Sequence, residues 1–146
     1  MADEALKESD RAQVIVAAIE LNAILEKIIK KKLLPEVPKN DRLFQSNSAP
    51  LVGFSAKIEL SYRMGLINKS LRDQLFVVRK IRNMMAHDIE YNSFTHPLIK
   101  PMLVKLYSKM PNSRDLSEDR KCFDLYKQEL LHQLDSSLLT VEPIKQ

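Results

Sequence analysis

Residues 69–88 read KSLRDQLFVVRKIRNMMAHD. Leu71, Leu75, Val78, Arg82 and Met85 recur at intervals of four, three, four and three, which is the period of a helix with one apolar stripe. Asn68 stands immediately before the run, where a short amide side chain can accept from the free amides of the first turn. Gly65 stands three residues earlier, where glycine ends a preceding helix cheaply in the left-handed conformation. The stripe has one anomaly, because Arg82 projects from its middle. An unpaired charge in a core is costly, so this guanidinium must reach a carboxylate, a helix end, a groove wall or a partner subunit.

Working outward, a helix from Pro50 or Leu51 to Met64 carries Leu51, Phe54, Ile58 and Tyr62 or Ser61 on one face, with Lys57 and Arg63 on other faces, where they read as solvated. The link to the next helix is short enough to make the two a packed pair. Upstream, Pro35, Pro38 and Pro50 with interspersed Asn, Asp and Ser define a loop, which Leu43 and Phe44 pin to the core. A first helix is expected from a cap at Ser9 or Asp10 to Leu34, with Ile15, Ala18, Ile19, Asn22, Leu25, Ile29 and Leu33 as its buried stripe. Lys27, Lys30, Lys31 and Lys32 near its end are read as a solvated last turn that complements the helix dipole, with nucleic-acid contact as the alternative.

Downstream of Asp88, the segment Tyr91-Asn92-Ser93 is a polar break. A fourth helix is expected from Thr95 or Pro97, bending or beginning afresh at Pro101 and ending at Pro111. A last helix over 117–139 buries Phe123, Tyr126, Leu130, Leu134 and Leu138. Asp115 and Glu118 ahead of it fit helix capping better than acid–base catalysis. The expectation is an all-α fold, a single-domain bundle of about five helices spanning 1–146, with 1–8 and 143–146 frayed.

Composition agrees with that class. The 146 residues are 45% hydrophobic and 29% charged, with two glycines and no tryptophan, which disfavours sandwiches and glycine-rich nucleotide folds. The single cysteine, Cys122, cannot form an internal disulfide, and a reducing, cytoplasmic setting is the natural reading. Met1 to Asp10 is acidic and lacks an apolar segment, and no apolar run reaches the ~20 residues of a membrane span. A formal charge of +4 is compatible with a polyanionic partner but does not single one out.

The chemistry, if any, lies in Arg82, Asn83 and His87: a permanent cation, a hydrogen-bonding amide and a base that titrates near neutral pH. On an unbroken helix Arg82 and His87 are ~140° apart around the axis and ~7.5 Å apart along it. They converge only if the helix ends near Ala86 or if two copies meet across a symmetric interface. Converged, they could cleave RNA without a metal, with His87 moving the proton, Arg82 neutralising the phosphate and Asn83 orienting either. Otherwise Arg82 and Asn83 fix helix packing and His87 satisfies the helix end. His87, His96, His132 and Cys122 form no close ligand pattern, so neither a metal nor a cofactor is expected. No phosphate loop, nucleophile elbow or HExxH pattern is present. The link at Gly65 to Asn68 is no convincing helix-turn-helix, because an apolar face with Leu71 and Leu75 stands where a recognition helix needs polar side chains.

Two resemblances attach to these residues. Pro50 to Ile67, PLVGFSAKIELSYRMGLI, continuing through His87-Asp88 and more faintly back to Ser9-Asp10-Arg11-Ala12, resembles the mannitol operon repressor family. That likeness implies a small all-helical bacterial protein named for transcriptional repression, in a family without an obvious DNA-reading module. The segment Arg82-Asn83-Met84-Met85-Ala86-His87 is similar to the Arg-polar-x-x-x-His signature of HEPN domains. That likeness implies a helical bundle that often dimerises and in many cases cleaves RNA. Regulation through a protein partner is the leading expectation, with a homodimer compatible. A metal-independent endoribonuclease acting through Arg82, Asn83 and His87 is the alternative.

Overall fold

The computed structural model describes residues 2–35, 40–110 and 119–145, with side chains from Asp10 onward in the first helix. Its elements are α1 (Ala2–Lys32), α2 (Phe54–Arg63), α3 (Lys69–His87), α4 (Lys100–Tyr107) and α5 (Asp119–Thr140). The protein is all-α, and no strand occurs among the described residues. The expected start of the last helix at Ser117, the capping role of Asp115 and Glu118 and the stop at Pro111 lie outside the described residues, as does Pro38.

α1 is the axis of the bundle, packed by α5, α3 and α2. It starts at Ala2 rather than at Ser9 or Asp10. Residues 2–8, Ala-Asp-Glu-Ala-Leu-Lys-Glu, are rich in good helix formers. Asp10, instead of capping, is buried and ties two distant segments together. Its carboxylate accepts from the Phe94 amide at 3.1 Å and from Arg120 Nε at 2.7 Å.

The buried arc of α1 consists of Val14, Ala17, Ala18, Leu21, Ile24, Leu25, Ile28 and Ile29. The expected stripe shares only Ala18, Leu25 and Ile29 with it, and Ile19 is 62% exposed. Two apolar stripes are legible on this helix, and the docking of α5 selects between them. Gln13 donates to the Arg120 carbonyl, Lys127 pairs with Glu20, and Lys31 donates to the Leu138 carbonyl. The order of these contacts makes α1 and α5 parallel, and together with Asp10 they set the rotation of α1. Lys31 and Lys32 therefore hold the end of α5 and the following chain, through the carbonyls of Leu138 and Glu142. Beyond α5 the Ile144 amide donates to the Lys32 carbonyl.

α2 begins at Phe54, later than Pro50 or Leu51, because the chain stays extended at Gly53. Ahead of it, the Leu51 amide donates to the Leu43 carbonyl, and Phe44, Leu51 and Ile29 form a small second core. Gly65 ends the α2 turn at φ +74°, as its freedom from a Cβ predicts. Asn68 Oδ1 accepts from the Leu71 amide at 2.8 Å, the expected cap. The α2–α3 pair is closed by Arg72, which bonds Glu59 at 3.4 Å and lies 4.4 Å over the Tyr62 ring.

On α3 the expected core residues Leu71, Leu75, Val78 and Met85 are buried, and Ile81 completes the row where Arg82 was expected to interrupt it. One position turns a helix by ~100°, enough to move Arg82 to the flank of the stripe. α5 buries Cys122, Phe123, Tyr126, Leu130 and Leu134, with Leu138 partly covered. Tyr126 donates its hydroxyl to Gln74 Oε1 at 2.6 Å, joining α5 to α3, and burial pushes its phenol pKa up. α4 begins at Lys100 with Pro101 in its first turn, the place where a missing amide costs least.

Candidate functional site

α3 runs without a break through His87, and Asp88 closes it by donating its amide to the Met84 carbonyl at 3.1 Å. Arg82 and His87 therefore keep the angular separation of a continuous helix. His87 is exposed at the helix end, while Arg82 and Asn83 are half-buried. Within one chain the three residues do not meet around a common target. His96 and Cys122 occupy structural places: His96 Nδ1 accepts from the Leu98 amide at 3.1 Å, and Cys122 is buried. Among the described residues no three His, Cys, Asp or Glu side chains gather as a metal-binding group.

Arg82 instead lines a cleft of about 110 Å³ with Ile15, Ala18, Ile19, Asn22 and Phe54. α3 contributes the guanidinium, α1 four walls and the first residue of α2 the fifth. Arg82 Nε is buried and has no hydrogen-bond partner among the described residues. Of the destinations expected for this cation, a groove wall is the one observed.

Behind the cleft lies a polar cluster that the sequence reading missed. Lys57, expected on a solvated face, is only 4% exposed. Its Nζ donates to Asn22 Oδ1 at 2.9 Å and to the Val52 carbonyl at 3.3 Å, and it lies 3.2 Å from Glu26 Oε1. Glu26 also pairs with Lys30 at 3.1 Å, and Lys30 sits 4.7 Å over the Phe44 ring. The signal was present in two places. Phe54, Lys57, Ile58 and Ser61 have the spacing of one helix face, and Asn22, Glu26 and Lys30 form a polar ladder at fours along an apolar helix.

Burial opposes ionisation of Glu26, but hydrogen bonds from Lys30 and Lys57 and their positive charges outweigh it and hold the carboxyl below its ordinary 4.5. A depressed carboxylate stabilises the fold above its unfolded pKa, and the contribution disappears as pH falls through the folded value. Urea titrations of wild type and Glu26→Gln should therefore converge as pH is lowered from 7 through about 4.5 toward 3. A constant gap between the two midpoints across that range would contradict the assignment.

Comparison of the chain with family models, with curated proteins and with solved structures gives no match.

Proposed function

We propose that this protein is a helical regulator that works through contacts with a protein partner, with transcriptional control as the output that the resemblance to the mannitol operon repressor family implies. The observation that supports it is an apolar face left open on α1. Ala12, Val16, Ile19 and Ala23 are exposed, Ile15 is half-covered, and Val16 and Ile19 are 49% and 62% accessible. Their spacing of three and four is that of a helix seam, and contiguous exposed apolar surface of this kind marks contact sites.

Catalysis is supported less well. A composite ribonuclease site would need Arg82 of one copy beside His87 of another, since the helix holds the two apart within a chain. The discriminating experiment pairs crosslinking of the intact protein in its own cells with an RNA-cleavage assay in excess EDTA. The regulator reading expects a specific crosslinked protein that is lost in Ile19→Asp, together with operator occupancy that depends on that partner. It expects no RNA cleavage by wild type, Arg82→Ala or His87→Ala, and an unchanged melting temperature for His87→Ala, because that side chain is exposed. Metal-independent cleavage leaving cyclic phosphate ends, and abolished by His87→Ala, would establish the ribonuclease in its place.

A further inference from the structure

We infer that the cleft around Arg82 is a receptor for one carboxylate side chain, carried on the apolar face of a helix from a different protein that docks along the exposed seam of α1. The inference rests on the reading of the chain as a protein-contact module and names the chemistry of the partner.

Size decides the class of occupant. Small-molecule sites are about 300–1,000 Å³, whereas this cleft of about 110 Å³ has room for one side chain. Its walls, Ile15, Ala18, Ile19 and Phe54, are apolar, and its two polar members, Arg82 and Asn22, both bring donors to it. Arg82 has no acceptor of its own, and its buried Nε is without a partner among the described residues. Asn22 has both functions, and its Oδ1 accepts from Lys57 Nζ at 2.9 Å. A lysine ammonium can only donate, so the amide orientation is determined and Nδ2 is the donor end of the Asn22 side chain. An apolar cleft with a guanidinium and an amide N–H₂ is complementary to a carboxylate on a hydrocarbon stem. Arg79, one turn earlier on the same side of α3 and also half-buried, adds a second positive charge nearby.

The rest of the surface specifies what carries that carboxylate. Val16 and Ile19 stand open beside the cleft, and Ala12 and Ala23 extend the seam by a turn at either end, a length that suits a docked helix. Among its described residues, α1 of a second copy has no unengaged carboxylate to supply the missing charge in a symmetric pairing of α1 seams. Among the described carboxylates of α1, Asp10 is engaged by Arg120 and the Phe94 amide, Glu20 by Lys127, and Glu26 by Lys30 and Lys57. The partner helix must therefore bring an Asp or Glu set among apolar residues at i±3 or i±4.

The test is selection of a displayed library of helical peptides against the full-length protein, followed by anisotropy measurements on the enriched peptides and on versions with the acid replaced by its amide. Enriched sequences should carry an acid flanked by apolar residues at helical spacing. The amide versions should bind wild type about tenfold more weakly or worse, as loss of a desolvated charge pair does. Against Arg82→Met the acid and amide versions should bind alike, and Ile19→Asp, altered at an exposed position that leaves the core intact, should bind neither. Circular-dichroism melts of both variants separate lost binding from lost folding. Enrichment of peptides without an acid, equal binding of acid and amide versions to wild type, or no enrichment at all overturns the inference. Self-association of the chain that Ile19→Asp abolishes would assign the seam to a second copy and overturn it as well. Acid-free peptides that compete for the seam would leave the protein-contact reading standing while the carboxylate receptor falls. Acid-dependent peptides combined with no crosslinked partner in cells would do the reverse.

Discussion

Leu75→Asp should leave the chain without a cooperative unfolding transition. Leu75 has no exposed surface and sits in the central row of α3, within the main core that α1 and α5 share. Removing the side chain forfeits about 2–5 kcal/mol of packing. Placing a carboxylate there without a partner adds several kcal/mol more, unless it is protonated at a similar cost. Together these approach the ~5–15 kcal/mol that holds a typical domain folded. The expected observation is loss of the helical signal at 222 nm or a soluble aggregate on gel filtration. The same exchange at Leu125, which is 58% exposed on α5, should cost under about 1 kcal/mol, chiefly through helix propensity. A Leu75→Asp protein with wild-type melting would mean that α3 is rotated from the orientation described.

The second large effect is expected at Lys57. Truncation to Ala strands Asn22 Oδ1 and the Val52 carbonyl, removes one of the two cations beside Glu26, and empties the volume of the four-carbon stem. Unsatisfied buried acceptors cost about 1–3 kcal/mol each, and the partly solvated Glu26 adds little because Lys30 remains, so a loss on the order of 2–4 kcal/mol is expected. Lys57→Met keeps the stem and discards the charge. It should recover about half of that loss, since packing is restored while the acceptors stay unmet. Urea midpoints of the two variants measure the difference. Equal midpoints for Lys57→Ala and wild type would show that the ammonium is solvated, as its sequence context alone suggested.

Helix by helix, legibility followed the locality of the cause. Asn68 as a cap and Gly65 as a stop were readable because each acts on amides and dihedrals within a few residues of itself. The rows on α3 and α5 were readable because each carries one dominant stripe, and a helix with one stripe has one way to face a core. α1 carries two. Ile15 and Ile19 compete with Val14, Leu21 and Ile28 for burial, and the sequence of α1 alone does not decide between them. The decision comes from Arg120 and Leu138 on α5, which engage Asp10, Gln13 and Lys31 from more than a hundred residues away in sequence.

The same division applies to the site. The residues Arg82, Asn83 and His87, the ~100° advance per residue and the resulting failure of Arg82 and His87 to share a target on one continuous helix were all in the sequence, because helix geometry is a local property. That the helix continues through His87, that Arg82 faces Ile15, Ile19 and Phe54 with its Nε unpartnered, and that Lys57 is buried against Asn22 and Glu26 were decided only by tertiary structure. Burial and the pairing of charges depend on which helix surfaces meet. α1 is the strut against which α2, α3 and α5 are all placed, so one turn of its rotation determines both the seam that stays open and the cations that lose their water.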